Sequence, residues 1–167
     1  MIYKFIITII YKLIMEFGII FHWGLYSVPA FDNPESILKR KIQNGSEWYQ
    51  KRLEEKGTYR PVYKETQEYH KLKFKEKDYK DFINIDNCKF DNWMKLCKEV
   101  NATYVILTAK HHDGFCLWPT KSTNFCVKKD LVKEFIESAK KYNLKYGIYY
   151  SWYEFNRTCT KNIWMKL

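Results

Sequence analysis

The sequence predicts an α/β fold with parallel strands, on three observations. Its elements run strand, long excursion, helix, strand, helix, strand, the order that helical crossovers between parallel strands produce. Its strands are short continuous apolar runs, as strands covered on both faces should be. Its chemically distinctive side chains gather where those strands end. The 167 residues suffice for one domain with a sizeable core.

In the opening MIYKFIITIIYKLIMEFG, Lys4 precedes the apolar FIITIIY, the order of a signal peptide's basic and apolar regions. The run is short, Lys12 interrupts its end, and no small-residue cleavage site follows. Residues 1–16 are therefore read as a weakly signal-like or misassigned leader, too short to span a bilayer. FGIIFHWGLYS (17–27) reads as a buried strand closed by a turn at Gly24. Residues 29–61 form a polar connection with Pro29, Pro34 and Pro61 and a short helix around GSEWYQKRLEEKG. Residues 62–90, rich in Lys, Tyr and Phe, are an excursion with room for a helix or two.

Regular alternation follows. FDNWMKLCKEV (90–100) offers Asp91 as N-cap and places Trp93, Leu96, Cys97 and Val100 on one helical face. TYVILTA (103–109) is a β-branched run suited to a doubly covered strand. KKDLVKEFIESAKKYN (128–143) is a second helix, with Leu131, Val132, Phe135, Ile136 and Ala139 inward and Asn143 at its C-terminal cap. KYGIYYS (145–151) is a third buried strand.

The formal charge of +10 raises the question of nucleic acid. Only four arginines occur (Arg40, Arg52, Arg60, Arg157), and the densest basic stretch, KLKFKEKDYK, interleaves acids. Lysine makes poor bidentate contacts to phosphates or bases. The charge reads as a solvated lysine surface, not a nucleic-acid face. The five cysteines (Cys88, Cys97, Cys116, Cys126, Cys159) form no CxxC pair and read as free thiols. Sequons at Asn44, Asn101 and Asn156 weakly favour a secretory route.

The polar residues fall at matching places. His22 and Trp23 end the first strand, Lys110, His111, His112 and Asp113 the second, and Tyr149, Tyr150 and Ser151 the third. In a parallel barrel these ends share the face on which active sites are built. Three of the four histidines lie there. Neutral His, Glu and Tyr supply donors and acceptors for a polyhydroxylated ligand, and Trp rings cover its apolar face. A metal centre is the weaker reading. Neither an HxH pair nor HExxH occurs, and neighbours on a strand point to opposite faces. No metal and no cofactor is expected.

FGIIFHWGLYSVPAF, GSEWYQKRL, TYVILTAKHHDGFCLWPTKSTNF, KKDLVKEF and LKYGIYYSWYEF, in this order, resemble the α-L-fucosidases of glycoside hydrolase family 29. The resemblance runs from about Phe17 to about Phe155 and rests on several independent anchors: HWG, EWY, KHHDGF and YYS. It implies that residues 17–155 form the N-terminal portion, about three strands, of a TIM-like (β/α)8 barrel. It implies retaining hydrolysis of terminal α-L-fucose from glycoconjugates, with a fucosylated glycan as partner and a secretory, lysosomal or extracellular setting. It is compatible with a homo-oligomer. Residue by residue, it implies that His22, His111 and His112 bond sugar hydroxyls and that Glu47 accepts from one. Trp48 would cover the sugar edge near the C5 methyl, and Tyr149 would sit beside the reacting centre.

Retaining hydrolysis uses two carboxyls about 5 Å apart. In this family the nucleophile is an aspartate ending strand four, and the acid/base comes later. Both are expected downstream of Leu167, so this chain alone is expected to be inactive. Of the local carboxylates Glu47, Asp113 and Glu154, none is assigned as nucleophile, and Asp113 is expected to hold the KHHDGF turn. The chain departs from the family pattern at Val100-Asn101, where Ala-Gly is usual, and at Lys129-Asp130, where Arg-Asp is usual. It also departs in its leader and in a divergent tail, residues 156–167. A non-catalytic sugar-binding remnant is the alternative, and a metal-dependent barrel hydrolase a more remote one.

Overall fold

The computed structural model describes residues 16–32, 45–57, 61–83, 85 and 88–155. The divergent tail, Cys159, Asn44, Asn156 and residues 1–15 of the leader lie outside these. Strands β1 (Gly18–Phe21), β2 (Tyr104–Lys110) and β3 (Lys145–Tyr150) form one parallel sheet in the order β1–β2–β3. Helices α1 (Tyr49–Glu54), α2 (Pro61–Phe74) and α3 (Phe90–Glu99) lie between β1 and β2, and α4 (Leu131–Lys141) lies between β2 and β3. The expected order of elements is present, including the short helix after GSEW and the helix in the Lys/Tyr/Phe-rich excursion.

β2 is central because it is the strand best suited to be. It is apolar and β-branched, and it pairs on both edges. Val105 and Leu107 turn to the helix side and are fully buried. There they meet Phe90, Met94 and Cys97 of α3 and Leu131, Phe135 and Ala139 of α4 in one core. Burying each such side chain contributes about 1.5–3 kcal/mol. Gly18 of β1 leaves room for the Tyr104 ring, which a Cβ there would approach to 2.0 Å.

The outer strands correct the sequence reading. Both are predicted buried, yet Ile20 is 57% exposed, Tyr146 43% and Ile148 41%. Among the described residues each pairs along one edge only, and these apolar runs are left half open.

Helix α3 is also rotated from its predicted face. Phe90, Met94 and Cys97 point inward, while Leu96 and Val100 are largely exposed. Asp91 does not cap it. Lys89 holds the N-cap position without a side-chain bond, and Asp91 accepts from Ser138 Oγ (2.6 Å) and from Lys141 of α4. The residue read as a local cap is thus a tie between helices. Helix α4 is capped by Asp130, which accepts from the Lys133 amide at 2.9 Å. Its residues Val132 and Ile136 are only half-buried at the core's edge. Asn143 follows α4 at φ +52° and Asn101 follows α3 at φ +60°, the left-handed conformation that ends helices.

The excursion forms an aromatic layer. Phe31 stacks on Tyr69 with ring centroids 4.0 Å apart. Arg52 is fully buried, donating to Asp32 (2.9 Å) and to the Phe31 carbonyl (3.1 Å). The fourth histidine, His70, is structural: its ring nitrogens meet Tyr49 Oη (2.8 Å) and the Lys77 carbonyl (2.6 Å).

Candidate functional site

Strand register brings the site together. Phe21 pairs with Leu107, and Leu107 with Ile148. The next row therefore holds His22, Thr108 and Tyr149, on the sheet face away from α3 and α4. The His22 and Tyr149 ring centroids lie 6.3 Å apart. Between Thr108 and Lys110 the β2–β3 register shifts, an irregularity of the kind that re-aims side chains. A turn follows, closed by the Gly114 amide on the His111 carbonyl (3.0 Å), with Gly114 at φ +77°. Past the strand, His111 and His112 no longer alternate between faces, and their ring centroids lie 4.3 Å apart.

His111 is the hub. Its ring meets His22 (5.5 Å), Tyr26 (5.7 Å), Tyr149 (5.6 Å) and His112. Trp48 approaches His112 at 6.0 Å and Phe155 at 5.0 Å. Glu47 precedes Trp48 in a 3-10 turn (Ser46–Trp48) that packs on the turn carrying Tyr26. Five of the six residues singled out from the sequence thus form one continuous ring cluster. Glu47 joins it through Trp48, close enough for its charge to act on the Tyr26 hydroxyl.

Burial sets the electrostatics. His111 is buried, and its pKa falls to about 4, chiefly by desolvation, with the unfavourable electrostatics of protonating it beside His112, His22 and Lys110 adding to the effect. Its ring is neutral near pH 7, and its Nδ1 is buried without a hydrogen-bond partner among the described residues. Tyr26 keeps its proton, since burial raises its pKa. Asp113 is pushed up to about 6 by burial, against the pull of hydrogen bonds from Tyr79 Oη (2.8 Å) and the Phe115 amide (3.2 Å). Those bonds bind the turn to the excursion, the holding role expected of it.

Several residues escaped the sequence reading. Thr108 Oγ1 accepts from the Trp23 amide (3.0 Å) and meets Tyr26 Oη (3.2 Å), fixing the end of β1. Lys110, placed at the end of the second strand but given no role, is 3% exposed; it donates to Glu154 (2.7 Å) and to the Ser151 carbonyl (2.6 Å). The apolar run before it carried the signal, because a lysine ending a central strand starts from buried backbone. Glu154 and Asp113 are therefore both engaged in holding loops. Among the described residues no group of three or more His, Cys, Asp or Glu side chains is arranged to hold a metal ion, and no helix is long and apolar enough to cross a membrane. The four described cysteines are free thiols.

Imidazoles, phenols and an indole around an open face suit a ligand rich in hydroxyls. The family model described as alpha-L-fucosidase matches residues 14–164. The chain is 34% identical over 150 residues to an alpha-L-fucosidase of Dictyostelium discoideum, an overlap of 84% of this chain and 30% of that protein. It is 35% identical over 150 residues to the tissue alpha-L-fucosidase of Rattus norvegicus, covering 83% of this chain and 28% of that one. It superposes on a Thermotoga maritima alpha-fucosidase solved in complex with fucose with a TM-score of 0.65 at 37% identity, over 81% of this chain and 32% of that one. The chain thus spans about 30% of the length of the curated relatives it matches. Sequence anchors, parallel strands and comparisons agree, and this chain belongs to the α-L-fucosidase family.

Proposed function

We propose that residues 17–155 supply the fucose-recognition part of a retaining α-L-fucosidase, as the first three strands of a TIM-like (β/α)8 barrel. The observation that carries this reading is the convergence of His22, His111, His112, Trp48 and Tyr149 on one face at the strand ends. In this reading the three histidines and Glu47 pair the sugar hydroxyls. Trp48 covers the edge bearing the C5 methyl, and Tyr149 lines the reacting centre. A hydroxyl-paired site discriminates strongly, because a missing hydroxyl strands a buried polar partner. The substrate is a terminal α-linked fucose on a glycan or glycoconjugate.

The two carboxyls of retaining chemistry are assigned to none of the described residues. Asp113 is bound by Tyr79 and the Phe115 amide, and Glu154 by buried Lys110. In this reading recognition and bond cleavage reside in different parts of the enzyme. An aryl α-L-fucoside should bind this chain without being hydrolysed. Calorimetric titration with L-fucose should show binding, weakened by about 1–3 kcal/mol in His112→Ala. Turnover by this chain, or equal affinities for the two proteins, would overturn the assignment.

A further inference from the structure

The strand-end histidines are not equivalent, and the difference lies in what touches His112 from behind. Its Nδ1 faces Ser151 Oγ at 2.7 Å and the Tyr153 carbonyl at 3.3 Å. Ser151 Oγ donates its one proton to that same carbonyl, at 2.8 Å. A carbonyl only accepts, and a hydroxyl whose proton is committed offers the imidazole only lone pairs. With the hydroxyl proton on the carbonyl, both neighbours of Nδ1 are acceptors, the arrangement that favours a proton on Nδ1. A neutral ring protonated at Nδ1 has a bare lone pair at Nε2.

Ser151 is held for this task. It is 4% exposed. Its amide donates to the Lys110 carbonyl (3.0 Å), and its own carbonyl accepts from Lys110 Nζ (2.6 Å). Lys110 is itself locked, paired with Glu154 at 2.7 Å and lying 4.5 Å from the Tyr150 ring centroid. The Phe155 amide donates to the His112 carbonyl at 2.8 Å and pins the histidine's backbone to the same loop.

We propose that Ser151, clamped by Lys110, is a positioning residue that holds His112 in its Nδ1–H tautomer, so that His112 meets a sugar hydroxyl through Nε2 as a proton acceptor. The sugar half rests on the fucosidase reading; the tautomer does not. Long-range 1H–15N correlation on the full chain at about pH 8, above the ordinary imidazole range, reads the tautomer directly, with His112 assigned by its absence in His112→Ala. The expected spectrum shows a protonated, pyrrole-type Nδ1 and a pyridine-type Nε2. An Nε2–H tautomer in the wild type overturns the proposal, whether or not any variant folds. Ser151→Ala should mix the tautomers and weaken L-fucose binding about tenfold, while Ser151→Thr, which keeps the hydroxyl, should retain both. Unchanged tautomer and affinity in Ser151→Ala also overturn it. A wild-type chain that shows the Nδ1–H tautomer but binds no fucose removes the sugar half and leaves the positioning role standing.

Discussion

At the scale of the residue, the chemistry depends on a His111 ring kept neutral by burial. The folded pKa of His111, about 4, lies below the ordinary imidazole value of 6.5. Its contribution to stability is thus full above about pH 6.5 and is lost as pH falls towards 4. Asp113 has the opposite sign. Its pKa is raised from 3.8 to about 6, so its contribution is full below about pH 3.8 and is lost as pH rises through 6. The two slopes oppose each other in one window, and a bulk stability curve blurs them. Site-resolved NMR separates them: the His111 ring should titrate near pH 4, and a midpoint at the usual 6 to 7 would refute its burial. Lys110 makes a second test. Replacing it by Met removes a buried partner of Glu154 and the clamp on Ser151, and should cost about 3 kcal/mol in urea denaturation. A cost under about 1 kcal/mol would place this ion pair among inert surface pairs.

At the scale of the element, the helices show where periodicity sufficed and where it did not. Helix α4 was legible because its inward Leu131, Phe135 and Ala139 follow a single helical period and Asn143 ends it. Helix α3 was placed correctly but read with the wrong face. Its aromatic residues Phe90 and Trp93 and its Met94 compete with Leu96 and Val100 for the core, and tertiary packing decides such a contest. Met94→Ala should therefore cost about 2–5 kcal/mol, and Leu96→Ala under about 1 kcal/mol, by urea denaturation. Equal costs would mean the face is not the one described. Asp91 misled for a related reason. A carboxylate in a helix's first turn looks like a cap in sequence, whereas its partners Ser138 and Lys141 lie on a different helix. The Val100-Asn101 departure from the family pattern is explained by backbone. Asn101 occupies the left-handed conformation that a glycine would otherwise hold.

At the scale of the molecule, strand order and the clustering of histidines were readable because both follow from simple periods. The burial of β1 and β3 was not, since an apolar run records the cover a strand is suited to and not the neighbours it has. Thr108 was missed, and Lys110 and Ser151 were placed at strand ends without a role: their importance comes from pairing across strands far apart in sequence. The central claim is that His22, His111 and His112 read fucose while His70 does not. His70 is an internal control, since it shares the ring chemistry but is committed to Tyr49 and Lys77. Histidine-ring NMR resonances followed during an L-fucose titration test this directly. The account predicts that the three strand-end rings shift together and His70 stays fixed. Strand-end rings that do not move, or a response confined to His70, would contradict it.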